Sequence, residues 1–325
     1  MNNAMDNIMD NAMTFSANQL LEHLLDASLS RQSPESMAQW FAGFQSYTSP
    51  AMTSVDRAII GGRHSLNLAF SFAAGYQSAI ESIFNLASPA LSSFCVSEEK
   101  GNHPRAIATH LKPVGNDYVL NGNKSFVSGG CDAKQLFIAC NTGDLNNEKL
   151  DDRPALKMIS IPANTSGITI EAMPPLPFIS EISHGKISLT DVKILPEQLL
   201  PGDGYSSYIK PFRTYEDIHV LAAVLGFRLG EAIDSHWDTA LIEQHLAICL
   251  SLRMLNAMSL HTSEAHLALA GCRTQIHDLF QRTDSLFEQT NPLGYAKWQK
   301  DQPLLAIAKK AHVTRTAKAW QEKRT

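Results

Sequence analysis

The sequence predicts an α+β protein in which a β-rich segment lies between two helical regions. Before residue 90 and after residue 212, apolar residues recur at spacings of three and four, as on one face of a helix. Between them, residues 93–192 contain short runs rich in aromatic and β-branched residues, separated by turn residues. Strands at this spacing are typical of a small antiparallel barrel or sandwich. The order of elements excludes an alternating βαβ chain.

The composition is that of an ordinary globular protein. The 325 residues are 44% hydrophobic and 18% charged, which suits a sizeable core and two or three structural layers. The formal net charge of −5, without a long basic run, argues against nucleic acid as a main partner. No apolar run reaches the ~18 residues that a membrane-spanning helix needs, so we expect no membrane span.

Cysteine usage points to a reducing compartment. The five cysteines show no CxxC spacing and lie mostly in apolar runs, which is typical of buried thiols. Residues 1–13 lack the basic and apolar regions of a signal peptide, and we expect residues 1–16 to form a disordered tail. The expected location is therefore cytoplasmic. The twelve histidines show no metal-binding spacing, and no metal site is predicted.

Three helices are predicted before residue 90. Leucines repeat along one face from Ala17 to Leu29. Ser33 followed by Pro34 is typical of a helix start, and this helix should run through Phe44. The stretch from Arg63 to Phe84 is mostly apolar, so we expect it to be a buried helix.

The β-rich segment contains a predicted hairpin. Asn121-Gly122 lies between two runs rich in aromatic and β-branched residues, and both positions tolerate positive φ, so the turn is expected there. Further strands are predicted at Gln135 to Cys140, Leu156 to Ile161, Ile168 to Ala172 and Lys186 to Val192.

After residue 212 the chain is predicted to be helical again. Helices are expected at Val220 to Ala232, Thr239 to Ala270 and Asp301 to Trp320. The chain would then divide into a tail (1–16), an N-terminal helical domain (17–90), a central β-domain (91–205) and a C-terminal helical domain (206–325).

Four places in the sequence together carry a family resemblance. They are Phe94-Cys95-Val96-Ser97-Glu98, Tyr118 to Gly130, Ile187 to Gly204, and Gly226 ten residues after Glu216. In this order and spacing they resemble the acyl-CoA dehydrogenase family of flavoproteins, which has a Tyr-Cys-Val-Thr-Glu-Pro strand and an Asn-Gly-x-Lys-x-Trp-Ile-Thr hairpin in the first two places. The resemblance covers roughly residues 60 to 320. It implies an N-terminal helical part, a central antiparallel β-barrel domain and a C-terminal helical bundle.

The resemblance also implies an FAD cofactor bound along the β-rich segment. Ser97 would bond the pyrimidine edge of the flavin ring. Phe126 stands where the family usually has Trp and would stack on the ring. Ser128 replaces a usual Thr, and its hydroxyl would reach the N5 side. The expected cofactor-binding residues are Cys95, Val96, Ser97, Phe126, Val127 and Ser128. The alternative is that Ser and Phe occur in these strands without any ligand.

Glu216 is the candidate catalytic base. Some members of the family carry their catalytic Glu at this position, where it takes the α-proton of a thioester while the β-hydride leaves to the flavin. Burial against ring and acyl chain would raise its pKa toward the working pH. Its neighbours Tyr215 and Asp217 are the expected substrate-binding residues, although the family usually has Arg in place of Asp217. The structural alternative is a first-turn Glu that interacts with a helix N-terminus.

Three departures from the family pattern argue against retained flavin binding. After Glu98 the family has Pro and then Gly-x-Gly-Ser-Asp, but here only Gly101 remains and Glu99 adds a carboxylate where an anionic ligand is expected. Asp234-Ser235-His236-Trp237-Asp238 stands where the family has an Arg-x-x-Phe-Gly segment. A Gly-Gly loop and a further helix, expected in the family after the helix at Asp301 to Trp320, do not appear before Thr325.

Two classes of function follow, and a third stays open. The first is FAD-dependent oxidation of an acyl-CoA, or a related small thioester, at its Cα–Cβ bond by a homodimer or homotetramer. The second is a degenerate homologue without flavin chemistry of its own, which acts as a structural or partner subunit in a hetero-oligomer with a full-length relative. The third is a non-flavin protein that binds an acyl group or CoA. Each lost contact would weaken cofactor binding by about 1–3 kcal/mol. Several such losses together would favour the second class of function over the first.

Overall fold

The computed structural model describes residues 15–31, 33–86, 89–143 and 153–324. Its helices are α1 (Ala17–Leu25), α2 (Met37–Tyr47), α3 (Ser54–Arg63), α4 (Leu68–Phe84), α5 (Lys210–Asp234), α6 (Thr239–Asn256), α7 (Ser263–Thr290), α8 (Pro292–Asp301) and α9 (Lys309–Arg324). Its strands are β1 (Ser92–Cys95), β2 (His110–Val114), β3 (Asp117–Ser128), β4 (Gln135–Asn141), β5 (Leu156–Pro162), β6 (Ile168–Ala172) and β7 (His184–Ile194). The predicted mixed α+β fold, with strands between two sets of helices, is confirmed. Residues 1–14 of the expected tail lie outside the described residues.

The chain divides into two units. The helical unit consists of residues 1–33, 42–78 and 218–325, and the β unit consists of residues 34–41 and 79–217. All of the predicted cofactor-binding, substrate-binding and catalytic residues belong to the β unit. The predicted division into a tail and three domains stays a prediction. None of the described helices is long and apolar enough to cross a membrane.

Two glycines allow α3 and α5 to meet at backbone distance within the helical unit. A Cβ atom at Gly62 would lie 1.8 Å from the carbonyl oxygen of Ala223, and one at Gly226 would lie 2.1 Å from that of Ile59. No side chain fits at such distances, so glycine is required at both positions. The role of Gly226 in this structure is therefore close helix packing.

Capping residues explain why predicted helices are interrupted. The predicted helix from Thr239 to Ala270 is wrong, because α6 ends at Asn256 and the Thr262 hydroxyl then accepts the backbone N–H of Ala265 at 3.2 Å to start α7. The predicted helix from Asp301 to Trp320 is also wrong. Pro303 lies in a short 3₁₀ turn that separates α8 from α9, and proline cannot donate the backbone hydrogen bond that a continuous helix needs.

The predicted helix boundaries before residue 90 shift for the same reason. The helix expected to start at Ser33 begins at Met37, because the Ser36 hydroxyl accepts the backbone N–H of Gln39 at 3.1 Å. The helix expected from Arg63 to Phe84 begins only at Leu68, where the Asn67 side chain accepts the N–H of Phe70 at 3.0 Å. Apolar periodicity located these helices, and local capping set their ends.

The strands form one seven-stranded sheet. Its order is β1-β4-β2-β3-β7-β6, and β5 pairs with β4. Most neighbours are antiparallel, but β1 runs parallel to β4, and β2 meets β4 in a parallel sense at one residue pair. The prediction of a wholly antiparallel domain is therefore wrong in part, since β1 is not joined to β4 by a hairpin that would fix an antiparallel direction. Closure of the sheet into a barrel stays a prediction.

The predicted turn at Asn121-Gly122 is wrong. Strand β3 continues through both residues, and the hairpin turn lies at Gly115-Asn116 between β2 and β3. Gly122, with a φ of +148°, sits at a bulge where the register of β3 against β7 shifts. A Cβ atom there would lie 2.5 Å from Cα of Thr109. Gly115-Asn116 is also a two-residue hairpin signal, which the prediction did not consider.

Candidate functional site

The segment of residues 93–97 lies against the second half of β3. The Ser93 hydroxyl donates to the carbonyl oxygen of Ser128 at 2.8 Å, and the backbone N–H of Ser125 donates to the carbonyl oxygen of Ser97 at 2.9 Å. These two bonds hold residues 95–97 alongside residues 126–128. The structure therefore brings the six predicted cofactor-binding residues together on two adjacent stretches of chain.

These six residues differ in what they can offer a ligand. The side chains of Cys95 and Val127 are 0% and 2% exposed and belong to the hydrophobic core of the sheet. Burial raises the pKa of the Cys95 thiol to about 12, so it is not a thiolate at neutral pH. Val96 is buried as well, so these three residues would contact a ligand mainly through their backbone. Ser97 and Ser128 are partly exposed.

Phe126 is an exposed aromatic residue in an unusual backbone conformation. Its φ is +54°, and 57% of the residue is exposed. It lies at a second irregularity in the pairing of β3 with β7, and its backbone N–H points to the sulfur of Met173 at 3.3 Å. A positive φ is strained in a bulky residue and persists only where the surroundings impose it. In this conformation the phenyl ring lies exposed among the predicted flavin-binding residues.

A buried ion pair that sequence analysis missed fixes the same region. The Lys124 ammonium lies 2.7 Å from the Glu98 carboxylate, which also accepts the backbone N–H groups of Ala108 and Thr109 at 2.7 and 3.0 Å. Burial alone would raise the pKa of Glu98, but the Lys124 charge and these hydrogen bonds outweigh it and lower that pKa. The pair joins the end of the 93–98 segment to β3. A Lys within a strand pattern was the only signal in the sequence.

The loop from Glu98 to Gly101 uses two of its backbone N–H groups internally. The N–H of Glu98 donates to the carbonyl of Gly101 at 3.0 Å, and the N–H of Gly101 donates back at 2.9 Å. The exposed carboxylate of Glu99 follows directly. A phosphate site needs backbone N–H groups that point outward, and a carboxylate repels an anion. The Glu99 carboxylate therefore disfavours a flavin pyrophosphate at this loop, whereas Ser97, Phe126 and Ser128 offer two hydroxyls and an exposed aromatic ring, as a flavin ring would need.

Glu216 is the seventh residue of α5 and lies in the second turn of this helix. A π-helical segment, Gly204–Ile209, runs directly into α5. The alternative of a first-turn Glu at a helix N-terminus is therefore wrong. Glu216 is half-buried, and loss of solvation together with the charge of Asp217 raises its pKa to about 7, while Arg213 acts in the opposite direction. Such a carboxyl can both take up and release a proton near neutral pH.

Aromatic contacts hold the start of α5 against β1. The ring of Phe212 lies 4.3 Å from the ring of Phe94 between centroids, and Phe94 in turn lies 5.7 Å from Phe84. Residues four apart share a helix face, so Glu216 lies on the side of α5 that carries Phe212. The candidate base and the predicted flavin strand are thus positioned by one aromatic cluster. Beside Glu216, Tyr215 is half-buried and Asp217 is buried.

The segment that replaces the family's Arg-x-x-Phe-Gly has structural partners within the helical unit. Asp234 receives a hydrogen bond from Arg31 at 3.2 Å, and the Trp237 indole N–H donates to the Thr290 hydroxyl at 3.2 Å. Asp238 caps α6 by accepting the N–H of Ala240 at 2.8 Å. These residues stabilise helix ends and supply no cation for a pyrophosphate. Among the described residues, no three His, Cys, Asp or Glu side chains come together as metal ligands would.

His184 is a further residue of the site that sequence analysis missed. It is the pairing partner of Ser128 across β3 and β7, and its Nε2 lies 3.4 Å from the Ser128 hydroxyl. It is 8% exposed. Because the two residues are 56 positions apart, only the strand register brings them together.

Comparison with known proteins agrees with this architecture. A sequence model of the acyl-CoA dehydrogenase middle domain matches residues 93–192. A probable medium-chain specific acyl-CoA dehydrogenase 2, mitochondrial, of Caenorhabditis briggsae is 28% identical over 136 residues, which are 39% of this chain and 31% of that protein. The match thus spans about a third of the length of this relative.

Solved structures extend the similarity to nearly the whole chain. The electron transferring flavoprotein of Acidaminococcus fermentans aligns over 96% of this chain and 99% of its own, with a TM-score of 0.69 and 12% identity. Butyryl-CoA dehydrogenase from Megasphaera elsdenii aligns over 82% and 81%, with a TM-score of 0.60 and 14% identity. At these identities the likeness concerns the fold. Together, these comparisons show that residues 93–192 belong to the acyl-CoA dehydrogenase middle-domain family and that the chain shares the fold of acyl-CoA dehydrogenases.

Proposed function

We propose that this chain binds a flavin along residues 95–97 and 126–128 and oxidises an acyl thioester at its Cα–Cβ bond, with Glu216 as the base. The observation that carries the proposal is the Glu216 carboxyl, whose pKa is raised to about 7 on a helix that packs on the predicted flavin strand. A carboxyl in water would be too weak a base, and burial makes this one a stronger proton acceptor.

Bound FAD would supply the acceptor for the β-hydride. Glu216 would take the α-proton and later release it to solvent, and an electron acceptor would restore the flavin. The Ser97 and Ser128 hydroxyls would orient the ring, and the exposed Phe126 would cover it. Tyr215 and Asp217 would line the substrate side, where Asp217 also helps to raise the pKa of Glu216. The substrate class is an acyl-CoA or a related small thioester, and the assembly a homodimer or homotetramer.

The first test is the visible absorption spectrum of the purified protein with FAD and with FMN. We expect a flavin band that survives gel filtration. Anaerobic addition of a panel of acyl-CoA thioesters should then bleach the band in the wild type but not in Glu216→Gln. Glu197→Gln, an exposed carboxylate of the β unit, is the matched control and should behave as the wild type. A protein that retains neither flavin would contradict the proposal.

The second candidate is a partner subunit without flavin chemistry of its own. It is favoured by the closed loop at Glu98 to Gly101 and by the structural use of Asp234 and Asp238. Light scattering coupled to gel filtration, with and without a full-length family member, would test it. A stable complex between the flavin-free chain and the full-length family member would support this candidate. A flavin-bound homo-oligomer that persists in the mixture would argue against it.

A further inference from the structure

The hydrogen bonds around His184 determine which of its ring nitrogens carries the hydrogen. Its Nδ1 lies 3.1 Å from the carbonyl oxygen of Ile182, which can only accept. Nδ1 must therefore be the donor. Burial lowers the pKa of His184, so the neutral ring with a single N–H prevails at neutral pH. The Nε2 atom that faces Ser128 then carries a lone pair.

This tautomer fixes the direction of the hydrogen bond to Ser128. The Ser128 hydroxyl has one hydrogen, and Nε2 of His184 at 3.4 Å can only accept it. The lone pairs of the hydroxyl oxygen remain for a ligand, and the residue is partly exposed. Ser128 thus presents an acceptor, and its ligand must bring a donor.

We propose that His184 is a positioning residue that holds Ser128 as a hydrogen-bond acceptor and thereby favours the reduced form of the flavin. The proposal rests on the proposed function, which puts Ser128 beside flavin N5. In the oxidised ring N5 has a lone pair, which an acceptor repels, and in the reduced ring N5 carries a hydrogen, which an acceptor binds. The pair would therefore raise the reduction potential of the bound flavin.

The test compares the affinities of reduced and oxidised FAD for four variants with those of the wild type. Ser128→Ala and His184→Leu should lower the ratio of reduced to oxidised affinity by roughly tenfold, the value of one hydrogen bond. His184→Gln should restore part of it, because its amide oxygen can accept from Ser128. Ser125→Ala is the matched control, since the Ser125 hydroxyl on the same strand has no hydrogen-bond partner in the described structure. Circular dichroism would confirm that each variant is folded.

A second cofactor separates this effect from general disturbance of the site. In 5-deaza-FAD a carbon replaces N5, so its reduced form offers no N–H at that position. We expect the same variants to leave its ratio of affinities unchanged. An equal change with both cofactors would overturn the inference, as would an unchanged ratio for FAD in folded His184→Leu.

Failure of the inference and failure of the proposed function give different results. If neither redox form of FAD or FMN binds to the wild type, the proposed function fails and the inference fails with it. If flavin binds and its affinity ratio is insensitive to His184, only the inference is overturned. Nitrogen NMR shifts of His184 in the flavin-free protein add an independent check, since a hydrogen on Nε2 would contradict the assigned tautomer.

Discussion

The two units each bury a cation completely, but they satisfy it in different ways. In the β unit the Lys124 side chain is 0% exposed and meets the Glu98 carboxylate. In the helical unit the Arg228 side chain is also 0% exposed. It bonds Asp284 at 2.9 Å and Thr283 at 2.7 Å, and four aromatic rings surround its guanidinium. Those rings belong to Trp237, Phe280, Phe287 and Trp298 at 4.8–5.7 Å.

The difference follows from the shape of the two charged groups. The Lys124 ammonium is a compact point charge and needs an anion at short range, whereas the planar Arg228 guanidinium can also lie against ring faces. Because Glu98 also binds two backbone N–H groups, the lysine pair determines the path of the chain from Glu98 to Thr109 beside the candidate site. The arginine cluster instead joins helices α5, α7 and α8.

Loss of the arginine should have the largest effect. Arg228→Ala leaves a cavity within the aromatic rings and removes the partner of Asp284, so we expect a loss of about 3–5 kcal/mol in the free energy of unfolding. Urea unfolding would measure it. Arg282→Ala, at an exposed position of α7, is the control and should change stability by about 0.5 kcal/mol or less. A similar small effect at Arg228 would contradict the structural role of the cluster.

Loss of the Lys124 side chain should lower the free energy of unfolding somewhat less than loss of Arg228. Lys124→Met leaves the Glu98 carboxylate buried without its cation, but Glu98 keeps two backbone hydrogen bonds, so we expect a loss of about 3 kcal/mol. Adding Glu98→Gln should recover part of that loss, because the uncompensated charge is removed. The same urea titration measures both. A double variant that is no more stable than Lys124→Met would contradict the expected cost of the uncompensated Glu98 charge.

Acid should weaken the helical unit through buried histidines. Burial lowers the pKa of His64 to about 4, with His23 and Arg63 acting in the same direction, and burial likewise lowers that of His245 to about 4. The unfolded chain, with a histidine pKa of 6.5, takes up these protons first. The contribution of the two neutral histidines to the free energy of unfolding is therefore complete above pH 6.5, and it is lost as the pH falls toward 4.

The expected loss is on the order of 1–3 kcal/mol for each histidine. His64→Phe keeps a ring stacked on Tyr47, where the present centroids are 4.0 Å apart, and removes one titrating group. Urea unfolding at several pH values should show a shallower decline for this variant than for the wild type. If the free energy of unfolding declined equally in both proteins, His64 would not contribute to the acid sensitivity.

Glu216 should show the smallest effect, with the opposite sign. Its folded pKa of about 7 lies above the ordinary value of 4.5, so its charged form costs stability, and this cost grows as the pH rises from 4.5 to 7. Because Glu216 is partly exposed, solvent reduces this cost, and Glu216→Gln should be about 1 kcal/mol more stable than the wild type at pH 8 and equal to it at pH 4. Melting temperatures at the two pH values would measure this. A less stable variant at pH 8 would contradict the raised pKa.

Strand positions were predicted better than strand partners. Alternation and β-branched residues located β4 to β7 within a few residues, because these signals are local. The parallel direction of β1 was missed because it depends on contacts distant in sequence, and the turn at Gly115-Asn116 was missed because Asn121-Gly122 carries an equally local turn signal. Helices were located by their apolar spacing, and their ends were missed where Thr262 or Asn67 caps a new start.

By itself the sequence determined the α+β order of elements and the family resemblance, and it predicted the two stretches that would line a flavin. These features lie in runs of neighbouring residues, where periodicity and short motifs can be recognised. Only the tertiary structure paired Glu98 with Lys124 and Ser128 with His184, and burial in that structure is the largest cause of the raised pKa of Glu216. The charge pair and the histidine tautomer depend on which distant groups meet, and desolvation depends on how much water the packed groups exclude. A local sequence pattern encodes neither the meeting of distant groups nor the exclusion of water.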